Sequence, residues 1–140
     1  MEIEKYNQNI FEKIKHMDNS GFEFWYAREL QNVLEYKQWR RFKDIIDKSM
    51  ISCFSSNYIV SDHFAEVGKM INIAKSGKRK IVDYKLSRYA CYLIVQNGDS
   101  WKKVIALGQT YFAIQTRKQE LFQDLSEYEK RIEIRLEKVI

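Results

Sequence analysis

Apolar residues recur every three or four positions along most of this chain and every second position in two short stretches. Ile3, Tyr6, Ile10, Phe11 and Ile14 have helical spacing, which predicts a first helix ending near Lys15. "HMDNSGFEFWYA" then reads as strand, turn, strand. Its turn is Asp18-Asn19-Ser20-Gly21, and Phe22, Phe24 and Tyr26 alternate with Glu23 and Trp25 at a strand's period of two. "ARELQNVLEY" places Leu30, Val33 and Leu34 on one helical face. A further helix is predicted from about Gln38 to Phe54, with Trp39, Phe42, Ile46, Met50 and Cys53 as its apolar stripe and Arg40, Arg41, Lys43 and Asp47 off it. The tight connection at Tyr36-Lys37 is helix-turn-helix-like, although spacing alone favours a plain helical hairpin in a core.

"SSNYIVSDH" is polar enough for a loop. Met70 to Ala74 and Lys80 to Leu86 read as the arms of a second hairpin whose tip runs over residues 75–79. In "KLSRYACYLIVQNGD", Ser87 is placed to cap a helix whose apolar face is Tyr89, Ala90, Leu93 and Ile94. Gly98 is expected to stop that helix through positive φ, and Asp99 to cap the next one. From Ser100 to about Val139 nothing breaks the helical pattern, which gives a helix of roughly 60 Å. Such a helix overhangs a small domain. Leu121, Leu125, Tyr128, Ile132, Leu136 and Val139 space themselves like a coiled-coil seam. The expected architecture is α+β and mainly helical, with hairpins near 16–26 and 69–86. A domain over 1–98 is followed by a long helix over 99–140 that serves oligomerisation or docking. Trp25, Leu30, Trp39, Phe42, Ile46, Leu86, Tyr89, Leu93 and Ile94 are the expected core.

Charge sharpens this picture. The 140 residues carry a net +5, but the excess is local: +3 over residues 37–54 and +6 over 75–103, against −3 over 1–36 and zero over 104–140. Localised positive charge is the footprint of a polyanion binder, and also of a merely solvated basic surface. The candidate nucleic-acid contacts are Arg40, Arg41, Lys43, Lys75, Lys78, Arg79 and Lys80, in two segments expected to flank one another.

Candidate enzyme chemistry is sparse. Cys53 and Cys91 sit in no CxxC pair and lie far from His16 and His63, so zinc-site spacing is missing and two buried thiols are expected. Arg88, one turn before Cys91, is the one feature pointing toward a reactive thiolate. Asp62-His63 with Glu66 is the only compact acid/His group. Phosphate-loop, GxSxG, HExxH and Ca²⁺-loop patterns are absent. The expectation is a non-enzymatic protein with no cofactor and no metal site. No apolar run approaches the roughly 18 residues of a membrane span. "MEIEKYNQNIF" lacks a signal peptide's apolar core, so an intracellular, cytoplasmic protein is expected.

Two stretches carry a family resemblance: "FEKIKHMDNSGFEFWYARELQNVLEYKQWRRFKDII" and "YKLSRYACYLIVQNGDSWKKVIALGQTYFAIQTRKQEL". Together, over about residues 10 to 121, they resemble the DNA-damage-inducible protein D family, which is related to phage antirepressor and Bro-N type domains. The strand leading into "AREL…VLEY" fits the Bro-N pattern. The resemblance implies a bacterial cytoplasmic protein of the SOS response with a Bro-N-like domain and no known enzymatic chemistry. It also implies action on DNA metabolism, through DNA or through RecA-type recombinase filaments. The alternative is an antirepressor-type module that binds a repressor protein without touching DNA. Family members continue well past 140 residues, so the chain is expected to be an N-terminal part. No catalytic residue carries over.

Overall fold

The computed structural model describes residues 9–75 and 77–139, with side chains as far as Arg135. Ile3 and Tyr6 of the first predicted helix therefore lie outside the described residues. So do Ser76 and the side chains of Leu136 and Val139.

The elements run α1 (Asn9–Lys13), β1 (His16–Met17), β2 (Glu23–Tyr26), α2 (Ala27–Val33), α3 (Trp39–Ser55), α4 (Val60–His63), β3 (Phe64–Ile73), β4 (Gly77–Leu86), α5 (Arg88–Gln96) and α6 (Lys103–Val139). The fold is α+β. The four strands form one antiparallel sheet in the order β1-β2-β4-β3. The first hairpin turns where its sequence demands it. The Asp18 carboxylate accepts from the amides of Ser20 and Phe22 at 2.8 and 2.9 Å, closing an Asx-type turn.

The register decides what the sheet buries. Trp25 pairs with Leu86, and Leu86 pairs with Phe64, so all three share one face with Tyr84. That face is buried against the helices in one core with Phe11, Leu30, Leu34, Phe42, Ile46, Ile94, Ile105 and Phe112. Trp25 buries its indole completely, and its ring N–H donates to the Phe11 carbonyl at 3.0 Å, so no donor is stranded. Of the expected core, Trp39 and Tyr89 are only half-buried.

Ser87 caps α5 as expected, accepting from the Ala90 amide at 3.0 Å. The end of α5 differs from expectation. The cap is Asn97 in a right-handed conformation, and Gly98 has no positive φ. Gly98 is needed for space instead: a Cβ there would lie 2.8 Å from Ile105 Cδ1 and 3.3 Å from the Tyr36 hydroxyl. Gly108 serves similarly, since its Cβ would lie 2.9 Å from Val95 Cγ1 where α6 crosses α5.

α6 has 37 residues and so spans about 55 Å. Val104, Ile105, Tyr111 and Phe112 are buried in the body. From Arg117 to Arg135 every side chain except Ser126 is exposed. The helix therefore begins inside the core and leaves it after about four turns.

Candidate nucleic-acid interface

β3 and β4 pair over ten residues each, from Phe64↔Leu86 to Ile73↔Gly77. β2 reaches only the root of this hairpin, pairing with Lys85 and Leu86. Beyond Tyr84 the two strands continue as a ribbon without a third strand, about 25 Å long at ~3.3 Å per residue. Its root is buried through Phe64, Asp83, Tyr84 and Leu86, while most side chains beyond it are exposed. Two bonds tie the root down. The Arg28 amide donates to the Asp83 carboxylate at 3.0 Å, and the Arg28 guanidinium donates to the Val82 carbonyl at 2.9 Å.

The sequence places Lys78 and Arg79 in the hairpin tip and Lys80 at the start of its second arm. In the structure they belong to β4, and of the candidate cations only Lys75 lies in the turn. Strand alternation then separates them. Lys78 and Lys80 share a face with Met70 and Asn72, whereas Arg79 and Lys69 share the other with Ile71 and Ile81. The ribbon thus carries cations on both faces and at its tip. Among the described residues none of Lys69, Lys75, Lys78, Arg79 and Lys80 makes an ion pair. Gly68 leaves room for the stem of Lys80, whose Cε lies where a Cβ at position 68 would have to sit.

The α3 cations are arranged differently. Arg40 is exposed. Arg41 donates to the Asp99 carboxylate at 2.8 Å, and the same carboxylate accepts from the Tyr36 hydroxyl at 3.2 Å. Those hydrogen bonds, the one from Arg41 first, hold the Asp99 carboxyl below its ordinary range. Asp99 is thus engaged by Arg41 and Tyr36 rather than free to cap α6. Lys43 is paired with Asp47 one turn on and stands 5.7 Å from the Tyr84 ring centroid. Tyr84 is at the root of the ribbon, four residues from Lys80 and six from Lys78, so the β4 cations lie about 13 to 20 Å along the strand from the position Lys43 faces.

Sequence reasoning placed no residue of the 99–103 loop in the site. Here Trp101 is exposed beside Lys102 and Lys103, and these three line a groove of about 660 Å³ together with Asn32, Glu35, Tyr36 and Lys37. The "WKK" run was visible within the +6 segment, but its pairing with "EYK" at 35–37 depends on the fold. Arg28 lies 3.7 Å over the Trp39 ring, which accounts for the half-burial of that tryptophan.

The cysteines and His63 lie apart from these basic residues in sequence. Cys53 and Cys91 are both buried. Burial pushes the Cys91 thiol well up despite Arg88, so this cysteine is held as a thiol. His63 Nδ1 shares a hydrogen bond of 2.7 Å with Ser87 Oγ, the hydroxyl that caps α5. Burial lowers the His63 pKa against the opposing pull of Asp62. Among the described residues no helix is long and apolar enough to cross a membrane.

Comparison with known proteins fits this architecture. Residues 13–113 match the family model described as BRO family, N-terminal domain. DNA damage-inducible protein D of Escherichia coli (strain K12) is 48% identical over 132 residues, which is 91% of this chain and 48% of that protein. The chain thus spans about half the length of the curated relative it matches. No solved structure matches it. The family match takes in both hairpins, the α2–α5 body and the buried start of α6, and on that match the chain belongs to the BRO family through its N-terminal domain.

Proposed function

We propose that this chain is a nucleic-acid-binding regulator of the DNA-damage response that acts on DNA metabolism without enzymatic chemistry of its own. The observation that carries this reading is the free ribbon, with five cations that make no ion pair among the described residues and that lie on both faces. A two-stranded ribbon fits the major groove of duplex DNA. Cations on both faces suit a ribbon flanked by phosphates on either side. The printed name of the E. coli relative supports the DNA-damage setting. Resemblance to its family supports modulation of RecA-type recombinase filaments as the downstream effect, in the cytoplasm. Phosphates position but do not specify, so weak sequence preference is expected.

The test is the salt dependence of DNA binding. Three to five phosphate contacts give a log–log slope of about −3 to −4.5. A slope near zero would reject the ribbon as a phosphate reader. It would favour the antirepressor-type reading, in which a repressor protein is the partner.

A second reading concerns assembly and rests on α6. Leu121, Leu125, Tyr128 and Ile132 form an exposed apolar stripe on the overhanging part, between 39% and 62% exposed. Its occupant in this reading is a second copy of the chain, because residues 104–140 carry zero net charge and two copies meet there without the repulsion of the basic body. Leu125→Glu with Ile132→Glu places charges in that seam. Sedimentation should then show a monomer with the body still folded. A wild-type chain that is monomeric at high concentration removes this reading.

A further inference from the structure

Trp101 is the most exposed large hydrophobic side chain among the described residues, at 78%. An indole presented to solvent at the mouth of a basic groove is the arrangement that captures an unstacked base. Two loops build this groove. One follows α2 and holds Glu35 in the left-handed region, at φ 61°. The Glu35 carbonyl accepts from Lys102 at 3.0 Å, and the Lys102 ammonium sits 3.7 Å over the Tyr36 ring. A flexible lysine is thereby fixed, 5.9 Å from the Trp101 ring centroid. Lys37 and Lys103 also line the groove. α6 starts here with no acidic residue in its first turn, so its N-terminal partial charge adds to the positive potential. Of the nearby carboxylates, Asp99 is occupied by Arg41 and Tyr36, and Glu35 lines the groove, which with Lys37, Lys102 and Lys103 leaves a net +2.

We propose that this groove is a binding site for single-stranded nucleic acid, in which one base stacks on Trp101 while its phosphates lie along Lys37, Lys102 and Lys103. The ligand class follows from the chemistry. A base inside a duplex has both π-faces covered by its neighbours, whereas an unpaired base offers a face to the indole. The proposal rests on the nucleic-acid reading above and adds a second, strand-selective site to the ribbon.

The experiment compares wild type, Trp101→Ala, Trp101→Phe and Lys78→Ala/Arg79→Ala/Lys80→Ala, each as the whole 140-residue chain. Labelled oligothymidylate and a labelled duplex are the probes, titrated across salt. Trp101→Ala should weaken oligothymidylate binding about 5- to 150-fold, the range for one lost stacking contact. Its salt slope and its duplex affinity should stay unchanged. Trp101→Phe should recover most of the loss. The triple variant should flatten the slope for the duplex. A Trp101→Ala chain that binds oligothymidylate as tightly as wild type, with the wild-type salt slope still steep, overturns the groove and leaves the ribbon standing. A wild type that binds neither probe overturns both. A Trp101 emission shift with phosphatidylserine vesicles but none with oligothymidylate overturns the groove in favour of a membrane surface. Thermal melts of the Trp101 variants should match wild type, because the removed ring is outside the core.

Discussion

The start of α3 and the β3–β4 ribbon carry similar positive charge in the sequence but differ in how much of it is available. At the start of α3, Arg41 is held by Asp99 and Lys43 by Asp47, and Arg40 makes no ion pair among the described residues. On the ribbon, five cations make none. A cation already paired must give up its partner before it neutralises a phosphate, so its net contribution to binding is smaller. Formal charge per segment therefore overstates α3 and understates the ribbon. The pairing also serves the fold, because Arg41 and Tyr36 converge on Asp99 and tie the α2–α3 connection to the start of α6.

The ribbon itself divides into a buried root and a free end, and the largest expected effect lies at that division. Leu86→Ala removes a fully buried side chain at the root and should cost about 2–5 kcal/mol. Val82→Ala, four residues toward the tip and 40% exposed, should cost less than about 1 kcal/mol. Chemical denaturation measures both. Equal costs would mean that the free end is packed and not a free-standing arm.

Next in size is the response to acid. His63 has a folded pKa below its ordinary 6.5. Above about 6.5 the ring is neutral in both states. Below that value the unfolded chain takes up a proton that the folded chain resists, so stability falls as pH falls toward the lower folded value. His63→Gln should remove that decline in denaturation midpoints measured from pH 7 to 5. Asp99 acts in a separate, lower window. Its depressed carboxyl gives stability that is present above about 3.8 and is lost as pH falls through the folded value. A decline from pH 7 to 5 that survives in His63→Gln would assign it to other groups.

A smaller effect is expected from freeing Arg41. Asp99→Asn leaves its guanidinium without a carboxylate partner. It should strengthen DNA binding by about twofold at low salt and steepen the slope by less than one unit. An unchanged affinity would mean that Arg41 is turned away from bound DNA whatever its partner.

Much of the fold was legible in local pattern. The Asp18–Gly21 turn, the Ser87 cap, the apolar stripe of α3 and the long α6 all follow from spacings within a few residues. The parts that were not legible depend on distant contacts. β3 begins at Phe64 rather than near Lys69, because "FAEVG" has weak strand character of its own and is held by pairing with Leu86 through Val82. At the other end, pairing that runs on to Ile73↔Gly77 moves Lys78 and Arg79 from a tip into a strand with two faces. The Arg41–Asp99 pair joins residues 58 apart and left no sequence signal. Gly98 looked like a positive-φ stop, yet its role is to admit Ile105 and Tyr36, which only the packed structure reveals. Trp101 drew no reading from the sequence, and its exposure is set by the fold.

The central claim is that the ribbon and not α3 supplies the phosphate contacts. The direct measurement is the salt slope of duplex binding for Lys78→Ala/Arg79→Ala/Lys80→Ala beside Arg41→Ala/Lys43→Ala, with folding checked by thermal melts. Removing three available cations should flatten the slope by about two to three units, and removing the two paired ones by less than about one. A triple variant with the wild-type slope, or a double variant that flattens it as much as the triple, would contradict the account.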